Sequence, residues 1–212
     1  MSGPSPRLSR IVVVSLVMVL WVRSALATPD PLRGSVSWEQ LKITTARGAI
    51  QILRPKSDVS PHQVVVYVHG YGGRVDELWT RHRLPEQFKK SGLNAIFVAV
   101  EAPAWYTDKV RFPSLDRVLS LLQRRLGVKL PSDVIVVGHS AAYLTFLHWL
   151  GNRRLRHLIL LDALYAGVSR LASWVRYHPE HRLTVVLRSR LPVYKARLLF
   201  ALTRKHRGVC RR

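Results

Sequence analysis

Short, uninterrupted runs of apolar residues, many of them β-branched, recur along this chain and limit the folds open to it. Runs of this kind are typical of strands that are buried on both faces of a sheet. They cover residues 64–68, 95–100, 134–137, 158–161 and 183–187. We therefore expect at least five strands that belong to one buried, mostly parallel sheet.

Helical patterns separate most of these strands. Each of three patterns ends just before a glycine, which is a common stop signal for a helix. They cover residues 85–91, 115–126 and 141–150, and a further helix is predicted over 195–205. Before them, residues 36–44 and 49–53 predict an antiparallel hairpin that turns at Arg47-Gly48. Strands alternating with helices predict an α/β fold with a doubly wound, mostly parallel sheet.

The first 27 residues have the composition of a secretory signal peptide. Arg7 and Arg10 precede an apolar run over residues 11–22, and a stretch of small residues ends at Ala27. The apolar run is too short to cross a bilayer as a helix. We therefore expect cleavage after Ala27, a secreted or periplasmic protein, and a single domain over residues 28–212.

The net charge is +22, and much of it lies near the end of the chain. Residues 181–212 hold ten Lys or Arg and no Asp or Glu. One interpretation is a basic surface that attracts anionic envelope polymers or a membrane surface. The others are a solvated tail, or a reading frame that was truncated or shifted. Nucleic-acid binding is not expected, because aromatic residues do not interleave with these charges.

Cysteine and histidine usage predicts neither a disulfide nor a metal site. Cys210 is the only cysteine, so the chain cannot form an internal disulfide. The nine histidines are scattered, without the spacing of a zinc site. No metal and no organic cofactor is therefore expected.

Polar and small residues follow four of the predicted strands. In a parallel sheet the ligand crevice lies beyond the carboxyl ends of the strands, so these residues should share one edge. They are the glycine-rich segment 69–73 (HGYGG), Glu101, the turn 138–140 (GHS) and Asp162. A serine at a tight strand-to-helix turn is the usual way in which a weak alcohol is presented as a nucleophile.

The segments YVHGYGG, VVGHSAAY and LILLDALY, in this order, resemble the α/β-hydrolase superfamily. The resemblance covers about residues 36–187. It implies a serine nucleophile, a general-base histidine, an acid that orients this histidine, and an oxyanion hole built from two backbone N–H groups. The serine turn departs from the usual G-x-S-x-G, because Ala142 replaces the last glycine.

The resemblance assigns roles to particular residues. Ser140 matches the nucleophile, and the N–H groups of Ala141 and Tyr71 are expected to form the oxyanion hole. Asp162 is the preferred acid, ahead of Glu101. The alternative role of Asp162 is to cap the next helix.

The base is the point at which the sequence departs from the family. The pattern expects a last strand followed by a histidine, but no strand is predicted after residue 187. His206 follows Ser140 and Asp162 in the expected order and is the first candidate, with His178 and His181 as alternatives. His69 and His139 are interpreted as packing or loop-orienting residues.

Two functions follow. The first is an exported serine hydrolase that cleaves an ester, thioester or amide of a small or lipid-like acyl substrate through an acyl-enzyme. The second is a catalytically impaired or C-terminally truncated member of the fold that binds anionic envelope components. Aromatic residues near the predicted edge, such as Trp105, Tyr106, Phe112 and Tyr165, could line an apolar pocket or pack against the core.

Overall fold

A computed structural model describes residues 36–56, 58–203 and 209–210 of the chain. The predicted signal peptide over residues 1–27 and His206 lie outside the described residues. The strands form one sheet in the order β1-β2-β4-β3-β5-β6-β7-β8. Their bounds are Ser37–Thr45 (β1), Gly48–Lys56 (β2), Gln63–Val68 (β3), Ala95–Val100 (β4), Val134–His139 (β5), Leu155–Leu161 (β6), Arg182–Val186 (β7) and Val209–Cys210 (β8).

The sheet is antiparallel at one edge and parallel elsewhere. β1 and β2 form the predicted hairpin, and β2 pairs with β4 in antiparallel register. All pairings from β4 through β8 are parallel. The predicted α/β class, with its doubly wound and mostly parallel sheet, is therefore confirmed.

Helices cover both faces of the sheet, and each face has its own apolar core. Two helices, α1 and α2, cover one face, and α3, α5 and α6 cover the other. Their apolar residues bury the strands from both sides, as the continuous apolar runs predicted. The helices are Val75–Arg81 (α1), Leu84–Ser91 (α2), Leu115–Leu126 (α3), Tyr143–Phe146 (α4), Val168–Arg176 (α5) and Arg190–Thr203 (α6).

Helix α3 has the bounds that its sequence predicts. The Ser114 hydroxyl accepts a hydrogen bond from the Arg117 N–H at 3.3 Å, which caps the first turn. Gly127 ends the helix with φ of 66°, a left-handed conformation that glycine adopts without steric cost. Local signals at both ends therefore fix this helix.

The helix predicted over residues 141–150 is present, but as three short helical pieces rather than one regular α-helix. The structure has a 3₁₀ turn over Ser140–Ala142, the four-residue α4, and a second 3₁₀ turn over Leu147–Trp149. Trp149 is fully buried, and its Nε1 donates to the Phe112 carbonyl at 2.8 Å.

The expectation of no strand after residue 187 is also wrong. β8 pairs in parallel with β7, with Leu183 opposite Val209 and Thr184 opposite Cys210. A strand of two residues has no hydrophobic run of its own, so its place is set by pairing with β7. In sequence, His206 precedes this strand, whereas the family pattern places the base after a strand.

Within the ranges that the structure describes, no helix is both long enough and apolar enough to cross a membrane.

Candidate active site

The predicted nucleophile and acid lie beside each other at the carboxyl ends of adjacent strands. His139 of β5 pairs with Leu161 of β6, and Ser140 and Asp162 are the next residues of the two strands. Both adopt left-handed backbone conformations, with φ of 51° and 50°. For residues other than glycine this conformation costs about 1–3 kcal/mol and is concentrated at functional sites.

Two glycines make the Ser140 turn possible. Gly70 of the segment 69–73 lies against the Ser140 side chain and leaves no room for a β-carbon. On the other side, a β-carbon on Gly138 would lie 2.8 Å from the Phe146 ring and 3.1 Å from Ala142 Cβ. The absence of a side chain at Gly138 thus leaves the space that the Phe146 ring and the Ala142 methyl group occupy beneath the turn.

The segment 69–73 is tied to the loop that follows β4. Gly72 N–H donates to the Ala104 carbonyl at 3.0 Å. In the part of the chain that the structure describes, no hydrogen bond of a loop or turn engages the N–H groups of Tyr71 and Ala141. Tyr71 and Ala141, whose N–H groups are the predicted oxyanion donors, directly follow Gly70 and Ser140, and these two residues are in contact.

Asp162 is held by the loop that follows β7. Oδ1 accepts from the N–H groups of Arg188 and Ser189, at 3.1 and 3.0 Å, and the Ser189 hydroxyl donates to Oδ2. Partial burial alone would raise the pKa of the Asp162 carboxyl. The hydrogen bonds from Ser189 and Arg188 and the nearby His139 outweigh it, so the pKa lies below its ordinary value. The carboxylate is therefore ionised at neutral pH. Sequence reasoning missed Ser189, which nothing in its local pattern marks.

His69 orients the loop rather than facing Ser140. Its Nε2 accepts from the Ala102 N–H at 2.9 Å, so the ring proton is on Nδ1, which donates to the Gly70 carbonyl at 2.6 Å. Both ring nitrogens are thereby engaged, and the ring is buried. His69 fixes the backbone of Gly70, the residue that contacts Ser140.

Glu101 supports the start of α1. Its buried Oε1 accepts from the Val75 N–H at 3.3 Å and lies 3.4 Å from His69 Nε2. An anionic group is favourable at a helix N-terminus. These contacts give Glu101 a structural role beside the site.

Two further histidines lie at the same edge as Ser140. Burial lowers the pKa of His139, and the charges of His82 and His69 lower it further, while Asp162 opposes the shift. Burial lowers the pKa of His82 as well, assisted by Arg81 and His69. Sequence reasoning missed His82, which directly follows α1 and interacts electrostatically with His139.

The alternative bases His178 and His181 are at the wrong edge of the sheet. Both precede β7, whereas Ser140 and Asp162 follow β5 and β6, and these strands are parallel. The five residues of β7 separate the two edges by about 16 Å. Neither histidine can therefore reach Ser140.

The aromatic residues near the site divide into core and surface. Phe112 is 2% exposed and belongs to the core, whereas Trp105 and Tyr106 are 64% and 82% exposed. The rings of Tyr143 and Tyr165 lie 6.0 Å apart on the Ser140 side. A surface hollow of about 430 Å³ lies elsewhere, between α5 and the loop at Gly151. Of the predicted site residues it is lined by His178 alone, which is one of the alternative bases.

No protein-family model matches the chain, and no curated protein matches it in sequence. Solved structures do share its fold. The feruloyl esterase module of Clostridium thermocellum, solved with sinapinate, has a TM-score of 0.57 at 11% identity, over 85% of this chain and 78% of that one. A cold-adapted esterase from an Arctic intertidal metagenomic library has a TM-score of 0.53 at 13% identity, covering 83% of each chain.

A predicted CIB-like hydrolase from Thermoplasma acidophilum also has a TM-score of 0.53, at 14% identity, over 83% of this chain and 86% of that one. Identities at this level establish the architecture and leave the activity to the residues of the site. The fold implied by the sequence resemblance is confirmed. The chain has the α/β-hydrolase fold.

Proposed function

We propose that this protein is a serine hydrolase that cleaves an ester, thioester or amide through an acyl-enzyme. The contact between Gly70 and Ser140 carries this proposal, because it joins the glycine-rich loop to the serine turn. The positive φ of Ser140 and the position of Asp162 on the adjacent strand support it. Esterases and hydrolases among the structural neighbours agree with a hydrolase.

The residues perform the reaction as follows. The Ser140 hydroxyl attacks the substrate carbonyl carbon while a histidine accepts its proton. The N–H groups of Tyr71 and Ala141 donate to the oxyanion of the tetrahedral intermediate, each contributing about 3 kcal/mol. The histidine returns the proton to the leaving group as the acyl-enzyme forms, and water then releases the acid by the reverse sequence. Asp162 orients the histidine and stabilises its cation.

Three histidines are candidates for the catalytic base. His206 follows Ser140 and Asp162 in the order of the family, and His139 and His82 lie at the Ser140 edge of the sheet. Removing the true base should lower kcat by about 10⁴-fold or more, as for other members of a catalytic triad. The base can therefore be identified with three single variants, His82→Ala, His139→Ala and His206→Ala. The variant that loses turnover lacks the base.

The substrate is proposed to carry an apolar acyl or alkyl group. Tyr71, Trp105 and Tyr106 are exposed at the Ser140 edge, and the rings of Tyr143 and Tyr165 add apolar surface. Aromatic walls with few polar groups are typical of pockets for such groups.

Hydrolysis of p-nitrophenyl esters of increasing chain length tests this activity. The full chain should release p-nitrophenol, and Ser140→Ala should not, whereas the exposed Ser60→Ala should match the parent. A folded parent chain without turnover on any ester, thioester or amide would contradict the proposal.

Export is proposed with this function. N-terminal sequencing of protein recovered from the native host should begin at Thr28, and an intact Met1 would exclude cleavage after Ala27.

A second candidate function is a binding protein for anionic envelope components, either a polymer or a membrane surface. Among the described residues, no histidine forms a hydrogen bond with the Ser140 hydroxyl, which favours an impaired site. The net charge of +22 would attract anions. Salt-sensitive binding to anionic vesicles by a chain without esterase activity would favour this function over hydrolysis.

A further inference from the structure

The turn between α5 and β7 gathers three side chains that can bind a metal. His178, Glu180 and His181 lie within four residues, and the His181 N–H donates to the His178 carbonyl at 2.9 Å. This hydrogen bond closes the turn and brings the side chains to one side. One donor atom from each of them lies within 4.8 Å of the other two.

The distances between the donor atoms approach those of a tetrahedral zinc site. Glu180 Oε1 is 3.4 Å from His178 Nδ1 and 3.9 Å from His181 Nε2. Two ligands bound at zinc distances and a tetrahedral angle are about 3.3 Å apart. His178 and Glu180 are exposed, so small side-chain rotations bring the three atoms into place.

His181 is already oriented as a ligand. Its Nδ1 donates to the Trp174 carbonyl at 2.9 Å, and its ring stacks on the Trp174 indole with centroids 4.2 Å apart. This leaves Nε2 directed toward Glu180. Metal-binding histidines commonly donate their second ring N–H to a backbone carbonyl in this way, which fixes the tautomer and the ring orientation.

Arg156 occupies the place that a cation would take. Its Nη1 lies 3.1 Å from Glu180 Oε1 and so neutralises this carboxylate. Its Nε lies 3.7 Å from Asp133 Oδ1. A metal that binds Glu180 would release Arg156, and Asp133 remains as its partner. Arg156 therefore competes with a cation for Glu180 without excluding it.

We propose that His178, Glu180 and His181 bind a divalent transition-metal cation of the zinc type. Two imidazoles and one carboxylate match zinc, whereas magnesium and calcium require oxygen ligands. The site lies at the edge of the sheet opposite Ser140, so its metal would take no part in ester cleavage. It would tie the end of α5 to the start of β7. Sequence reasoning overlooked it, because the spacing matches no common zinc motif.

Calorimetric titration of the metal-free full chain with Zn²⁺ tests the site. We expect saturable binding of one ion, weakened at least about ten-fold in both His178→Ala and Glu180→Gln. These two side chains are exposed, so neither variant should fail to fold. Arg156→Gln should strengthen binding, because it removes the competing cation. The exposed His62→Ala is the matched control and should bind as the parent does.

A second readout separates this site from weak surface binding. Co²⁺ bound by the parent chain should give the intense visible absorption of a tetrahedral site, and this absorption should be absent in His178→Ala. The proposal is overturned if Zn²⁺ does not saturate, or if His178→Ala and Glu180→Gln bind it as tightly as the parent.

Discussion

Gly70 lies so close to Ser140 that a β-carbon on Gly70 would be 2.8 Å from Ser140 Cβ and 3.3 Å from its hydroxyl oxygen. The loop after β3 and the turn after β5 are thus in direct contact. Tyr71, whose N–H is a proposed oxyanion donor, directly follows Gly70. The position of the proposed oxyanion hole therefore depends on the absence of a side chain at residue 70.

Gly70→Ala should impair catalysis. The added methyl group must displace either the loop or the serine, and a misplacement of about 1 Å can cost about 100-fold in rate. We expect kcat/KM for a p-nitrophenyl ester to fall by about this factor. Gly151→Ala is the matched control, because its β-carbon meets no atom within 4 Å. Equal activity of the two variants would show that the contact has no catalytic importance.

Ser189→Ala should raise the pKa of the Asp162 carboxyl. The folded chain lowers this pKa, mainly through Ser189, so Asp162 stabilises the fold above pH 3.8, and this stability is lost as the pH falls through the folded pKa. Without the Ser189 hydroxyl, the folded pKa of Asp162 should rise toward 3.8. Asp162 should then contribute less stability, and its loss should be complete at a higher pH than in the parent. A carboxyl NMR titration of parent and variant measures the shift, with the exposed Ser173→Ala as control. An unchanged Asp162 titration in Ser189→Ala would refute the assigned hydrogen bond.

His157 should make the fold sensitive to acid. Burial, with a smaller effect of Arg182, lowers the pKa of this histidine from 6.5 to about 4. The unfolded chain then binds more protons between these values. The contribution of the neutral His157 side chain to the free energy of unfolding is complete above pH 6.5. It decreases as the pH falls toward 4, by about 3 kcal/mol in total.

Urea unfolding at pH 7 and pH 4.5 tests this dependence on His157. His157→Gln should lose much of the difference between the two pH values, because glutamine does not titrate. The exposed His62→Gln should keep it. If the free energy of unfolding of His157→Gln differed between the two pH values as much as that of the parent, other groups would cause the acid sensitivity.

Trp149→Phe should destabilise the segment that follows Ser140. The substitution removes the donor to the Phe112 carbonyl, and an unsatisfied buried carbonyl costs about 1–3 kcal/mol. Trp105→Phe removes an exposed indole instead and should change the free energy of unfolding by less than about 0.5 kcal/mol. Equal effects of the two substitutions in urea unfolding would contradict the role of the buried hydrogen bond.

The sequence predicts most of the sheet and some of the site. The hairpin, the buried strands and α3 could be predicted because their signals are local: β-branched runs, a serine cap and Gly127. Asp162 could be placed beside Ser140 because parallel strands end at the same edge of a sheet. In each case the local sequence pattern predicts the element or position that the structure has.

Other features depend on contacts between distant segments. β8 is defined by its pairing with β7, and the buried Trp149 indole donates to the carbonyl of Phe112, a residue 37 positions earlier in the chain. The electrostatic interaction of His82 with His139 joins residues that are 57 positions apart in the chain. None of these contacts has a signal within its own segment, so none could be predicted from local sequence.

The most direct test of the account is labelling of the full chain with a fluorophosphonate, followed by mass spectrometry of its peptides. The probe reacts only with a serine whose proton a base can remove. The account predicts one phosphonylated residue, Ser140, and no labelling of a folded Ser140→Ala variant. A folded parent chain that stays unlabelled, or a Ser140→Ala variant that is labelled to the same extent, would contradict it.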